Sequence, residues 1–140
     1  MNEVRRKASE FIQKEIQDME AKVARGLDKI KADGAISSLE WNRLEGLADL
    51  ELRVRSLAGI YYVLTHEEKH KDEQLVEVFN EWKKRTIEDW VGDSFCGGSI
   101  SGPWDRRSTS VGSNRLAIVQ ANVKRYEIRE LKRVIKLLEQ

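Results

Sequence analysis

Residues 47–64 read LADLELRVRSLAGIYYVL, with Leu47, Leu50, Val54, Leu57, Tyr61 and Leu64 at alternating steps of three and four. That period draws one stripe along an α-helix and does not fit the alternation of a half-buried strand. Trp41, Leu44 and Ile60 widen the stripe, so this segment predicts the central core helix, spanning 36–64. Upstream, Ile12, Ile16, Met19, Val23, Leu27 and Ile30 repeat the same spacing and predict a first helix over 1–33. Asp33-Gly34 then reads as a left-handed cap, and Ser37 with Glu40 as a capping box. So short a connection implies an antiparallel hairpin.

Downstream, Thr65 and Glu68 repeat the capping-box spacing. They predict a bend and a third helix over 66–91 that buries Leu75, Phe79, Trp82 and Ile87; a helix continuous through Thr65 is the competing arrangement. A fourth helix, 114–139, starts near Ser113 or Asn114 and carries Leu116, Val119, Val123 and Tyr126, then shifts phase to Leu131, Val134 and Leu138. Between them, residues 92–114 hold five of the nine Gly, six of the ten Ser, Pro103 and Cys96. A loop of 23 residues exceeds the ~12–15 beyond which a structureless connection is usually functional or disordered. The expected fold is all-α: a single helical domain over 1–140, an antiparallel bundle of about four long helices with a long Gly/Ser-rich loop between helices 3 and 4. Helices of ~30 residues reach roughly 45 Å, more than a compact monomer of this size needs. A coiled-coil-like homo-oligomer is therefore expected.

The hairpin turn from Lys29 to Glu40, KIKADGAISSLE, resembles a degenerate EF-hand loop and is similar to the ADGxIS…E turn of TerB-like helical domains. Asp33, Gly34, Ile36 and Glu40 fit the calcium pattern, but Lys29 and Lys31 stand where the first carboxylate ligands belong. The resemblance therefore implies no calcium site, and no function follows from it.

With 25 basic and 24 acidic residues the chain has a formal charge of +1, so no global field draws it to nucleic acid or membrane. By segment the balance is 0 for 1–63, −4 for 64–102 and +5 for 103–140. Arg125, Arg129, Lys132, Arg133 and Lys136 recur at near-helical spacing, interrupted in sequence by Glu127, Glu130 and Glu139. Sequence-specific DNA recognition by this helix is not expected, since Val119, Val123, Val134 and Leu138 claim much of its surface for packing. The longest apolar run, Leu57 to Leu64, is far short of the ~20 residues that span a bilayer. MNEVRRKASEF lacks the apolar core of a secretory signal, and Cys96 has no partner for an internal disulfide. A reducing cytoplasm is the expected compartment.

Three patterns carry recognisable chemistry. His66-Glu67-Glu68-Lys69-His70 matches HExxH, in which two His one helical turn apart bind zinc and the Glu activates water. Its surroundings are polar and no third His exists, so a zinc-dependent hydrolase through His66, Glu67 and His70 is a remote alternative. Glu67-x-x-His70 is also half of a di-iron carboxylate site, without its second half. Cys96 as a nucleophile would need a base, and no His is near it in sequence. No cofactor is expected, and an enzyme is not the favoured class.

The 92–114 loop is the best candidate site. Gly97, Gly98 and Ser99 offer backbone amides, and Ser113, Asn114 and Arg115 sit where a helix N-terminus favours an anion. Arg106 and Arg107 add charge, Ser108 and Thr109 hydroxyl donors, and Phe95 and Trp104 stacking surfaces. That set suits a phosphate-bearing small molecule such as a nucleotide, although neither GxxxxGK[ST] nor GxGxxG is present. The expected function is a non-enzymatic oligomeric binding protein, a ligand sponge or regulator. The alternative is an inhibitor or assembly protein that binds another protein through its helices and loop.

Overall fold

A computed structural model describes the backbone of residues 1–33, 38–92 and 111–140, and the side chains of 1–32, 42–92 and 121–140. Four α-helices account for almost all of it: α1 (Glu3–Asp33), α2 (Ser38–Thr65), α3 (Leu75–Gly92) and α4 (Val111–Leu138). A 3-10 turn, Asp72–Gln74, precedes α3, and the described residues contain no strand. The fold is all-α with bundle-like helix packing, α1 against α2 and α3 against α4. No helix among the described residues is long and apolar enough to cross a membrane.

The chain divides into two compact units, Met1–Asp72 and Glu73–Gln140. In the first, α1 begins where Asn2 caps it: the Asn2 Oδ1 accepts the backbone N–H of Arg5 at 2.8 Å, satisfying one of the helix's unpaired donors. Glu3 in the first turn and Lys31 in the last complement the helix dipole. The two helices run antiparallel, because Arg5 meets Val63 and Leu64 while Gly26 meets Leu47. Ala8 and Ile12 of α1 and Leu57, Ile60 and Leu64 of α2 are fully buried. Further along the hairpin, Ile16, Met19, Val23, Leu27, Ile30, Leu47, Leu50 and Val54 keep the predicted stripe but are only half-buried.

In the second unit Leu75 and Phe79 of α3 and Leu131 and Val134 of α4 are fully buried, joined by Tyr126, Ile128 and Ile135. Trp82 and Ile87, expected in the core, are half-buried, and Thr86 is buried between them. Thr86 can enter an apolar environment because its hydroxyl donates back to the Trp82 carbonyl at 3.0 Å.

The third helix starts at Leu75, not at residue 66. The reason lies in Thr65: its hydroxyl donates back to the Tyr61 carbonyl at 2.9 Å and so closes α2 instead of capping a new helix. Residues 66–71 form turns held by Lys69 and His70 N–H groups donating to the His66 carbonyl. At the other end α3 runs to Gly92 and α4 starts at Val111, ahead of the Ser113 or Asn114 expected from the sequence. Residues 93–110, the Asp33-Gly34 cap and the Ser37/Glu40 box lie outside the described residues.

Candidate functional site

Of the residues singled out in the long loop, Phe95, Gly97, Gly98, Ser99, Trp104, Arg106, Arg107, Ser108 and Thr109, with Cys96, lie outside the described residues. Ser113, Asn114 and Arg115 fall within the first turns of α4, their side chains likewise outside. The structure instead shows what flanks that segment: the last turns of α3 before it and the body of α4 after it.

There Trp90 of α3 and Arg125, Ile128, Arg129 and Lys132 of α4 line a cleft of about 250 Å³. It combines one aromatic ring, one aliphatic wall and three cations, with no acid among the described residues of its lining. Arg125, Arg129 and Lys132 are exposed, and none makes an ion pair or hydrogen bond among the described residues. Two of the three acids that interrupt this basic run in sequence, Glu127 and Glu130, face elsewhere, while Glu139 is exposed beyond the end of α4. Glu130 is 2% exposed and receives Arg133 at 3.1 Å. Glu127 is half-buried, accepts the Trp82 indole N–H, and has its carboxyl pushed above the usual range by burial, opposed by that hydrogen bond and by Lys124. Steps of four, three and four carry Arg125, Arg129, Lys132 and Lys136 along one exposed stripe of α4, roughly 16 Å long at 1.5 Å per residue.

The HExxH residues are not arranged as the zinc motif requires. Zinc-binding pairs of this motif project from one helical face, whereas residues 66–70 are not helical. The His66 ring stacks on Tyr62 with centroids 3.6 Å apart, and its Nδ1 lies 2.8 Å from the Tyr62 carbonyl. Lys69 Nζ donates to the Tyr62 hydroxyl at 2.6 Å, which raises the ammonium's pKa. Glu67 pairs with the Met1 amino group at 2.7 Å. No group of three His, Cys, Asp or Glu among the described residues could hold a metal ion.

A second polar constellation was not anticipated from sequence. Arg5 is 1% exposed and reaches across the hairpin. Its Nε donates to the Leu64 carbonyl at 2.7 Å, Nη2 to Val63 at 3.1 Å, and Nη1 to the His70 carbonyl at 2.7 Å and Asp72 Oδ1 at 2.8 Å. The Asn2 N–H donates to the other Asp72 oxygen at 3.1 Å. The Arg5 hydrogen bond, with Asn2 and the Arg5 charge, holds the Asp72 carboxyl below the usual range. Leu64 and Val63 end α2, where carbonyls lack helical partners, so the guanidinium works as a tertiary C-cap and offsets the negative helix end. Its signal in the sequence was Asn2 three residues before an Arg, an N-cap that fixes where α1 starts and hence where Arg5 points.

Compared with protein-family models, curated proteins and solved structures, the chain matches none.

Proposed function

We propose that the chain is a non-catalytic, homo-oligomeric binding protein that captures a phosphate-bearing molecule such as a nucleotide. The capturing groups are the cleft of Trp90, Arg125, Ile128, Arg129 and Lys132 together with the adjoining 92–114 segment. The observation that supports this reading is three cations without an ion-pair partner among the described residues, set around an aromatic wall on a helix whose Glu127 and Glu130 turn inward. Trp90 offers a ring face on which a base can stack. Arg125 and Arg129 offer planar forks that match phosphate oxygens in pairs, and Lys132 a mobile point charge. At about 250 Å³ the cleft lies just below the ~300–1,000 Å³ of small-molecule sites. It accommodates a mononucleotide only in part, and Gly97, Gly98, Ser99, Arg106, Arg107, Ser108 and Thr109, which follow Trp90 in the sequence, are the further donors proposed for it.

Isothermal titration with nucleoside mono-, di- and triphosphates tests this. Arg125→Ala/Arg129→Ala and Arg106→Ala/Arg107→Ala should each weaken binding at least about tenfold, the value of one charge-assisted contact. Trp90→Ala should weaken nucleotides more than inorganic pyrophosphate. No binding to any member of the panel, or unchanged affinity in the Arg125/Arg129 variant, overturns the reading.

A further inference from the structure

We infer that copies of this chain stack head to tail through two opposite faces of the α1–α2 hairpin. This deepens the oligomeric part of the proposed function by naming its surfaces, and it does not depend on the ligand.

Two apolar clefts flank the seam between α1 and α2. In one, about 300 Å³, Val23, Leu27 and Val54 are ringed by Glu20, Glu51 and Arg55. In the other, about 350 Å³, Ile30, Leu47 and Leu50 are ringed by Lys29 and Arg43. At about 100° per residue, Lys29 is rotated roughly half a turn from Glu20 on α1, and Gly46 roughly 140° from Glu51 on α2. The clefts therefore open on opposite flanks of the hairpin. All five rim charges are exposed, and none forms an ion pair or hydrogen bond among the described residues.

Their signs decide the geometry. Among the described residues the first rim sums to −1 and the second to +2, so a two-fold contact of the basic rim with itself places like charges together, which disfavours it. The first face against the second brings opposite signs over apolar floors of similar volume. A second copy fits because its opposite face supplies the complementary charge. From Gln13 to Asp33 α1 runs roughly 30 Å, and two helices side by side are roughly 20 Å across. One such contact covers roughly 1,200 Å² in total, the lower edge of specific interfaces, enough for a weak, reversible contact. An interface between two different faces does not close on a dimer; it propagates into rings or filaments.

Sedimentation velocity on the full chain across micromolar concentrations reads this directly, and the expected result is a concentration-dependent series running beyond the dimer and weakened by salt. Glu20→Lys/Glu51→Lys leaves both faces positive, and Lys29→Glu/Arg43→Glu leaves both negative. Each variant alone should associate at least about tenfold more weakly than the parent, with circular dichroism confirming that it folds. Mixing the two restores every contact, so the mixture should assemble although neither component does. A monomer throughout the range, a dimer that grows no further, or a mixture that fails to assemble overturns the proposal. Nucleotide titration of the same variants is read separately, since the Trp90 cleft contains none of these residues.

Discussion

Replacing Arg5 by Met keeps most of the buried stem volume and removes every hydrogen bond of the guanidinium. Four acceptors then lose a partner: the carbonyls of Val63, Leu64 and His70, and Asp72 Oδ1. A hydrogen bond to a charged group contributes about 1.5–3 kcal/mol. The four are not additive, because only the Leu64 bond is fully buried and water can reach the others in the variant. One fully buried bond plus partial losses at three gives a destabilisation of about 3–5 kcal/mol, the range for breaking a buried charge network. Against a typical total of about 5–15 kcal/mol this is a large share, and it corresponds to a fall in Tm of roughly 10–15 °C for a chain of this size.

Urea unfolding followed by circular dichroism measures the loss. Amide exchange at Lys69 and His70, whose N–H groups bond to the His66 carbonyl, reports it locally. Arg6→Met is the control: Arg6 is half exposed and among the described residues pairs with Glu3 and Glu10 on its own helix, so its replacement should change stability by no more than about 0.5 kcal/mol. The effect of Arg5→Met also depends on pH. Asp72 is held below its usual 3.8 by Arg5, so the folded state binds its proton less readily than the unfolded chain. The stabilisation is present above that value and is lost as pH falls through the lower, folded one. The gap between parent and variant should narrow in acid. If Arg5→Met and Arg6→Met prove equivalent at neutral pH, the tertiary cap contributes nothing and the reasoning fails.

Two further substitutions follow from the same structure. The Glu127 carboxyl is pushed up by burial, so the folded state holds its proton more tightly than the unfolded chain, and the resulting stabilisation is lost as pH rises through the shifted value. Glu127→Gln, whose amide oxygen can still accept the Trp82 N–H, should be at least as stable as the parent at neutral pH, with the difference disappearing on acidification; a variant clearly less stable at neutral pH contradicts this. Gly46→Ala should raise stability by about 0.5–1 kcal/mol through helix propensity, since nothing lies within 4 Å of an added Cβ. At Gly26 the same change meets Leu47 Cδ2 at 2.7 Å, so the gain should be absent there, and equal melting shifts at the two positions would show that the helices are not in this close contact.

Periodicity made the helices legible because burial of a stripe requires apolar residues at helical spacing whatever the partner is. It placed Ile12, Leu57, Leu64, Leu75, Phe79, Leu131 and Val134 correctly. It did not grade the stripes: Ile16 to Ile30 repeat the pattern of Ile12 yet stay half-buried, because how deeply a stripe is covered depends on what lies over it. Arg5, Thr86 and Glu130 were illegible for a different reason. A polar side chain enters a core only when its partners are in place, and those of Arg5 stand 58 to 67 residues away along the chain. The start of α3 was misread because Thr65-x-x-Glu68 is compatible with two uses of one hydroxyl, a forward cap or a backward bond to Tyr61, and local spacing does not choose between them.

The same dependence on partners changes what charge along α4 means. Counted along the sequence, Glu127 and Glu130 dilute the cations around them. In the fold, Glu130 turns inward to Arg133 and Glu127 is drawn toward the Trp82 indole, which leaves Arg125, Arg129, Lys132 and Lys136 on an outward stripe, the first three bordering a cleft with no acid among its described lining residues. The Glu130 charge is offset by Arg133 beside it, whereas the exposed cations act on solutes over a Debye length of about 8–10 Å. Near-neutral composition and a locally anion-attracting face are therefore compatible, and the distinction is measurable. Binding at the Trp90 cleft should weaken steeply with added salt in the parent and less steeply in Lys132→Ala/Lys136→Ala, whereas equal salt slopes would mean that the stripe plays no part in drawing the ligand.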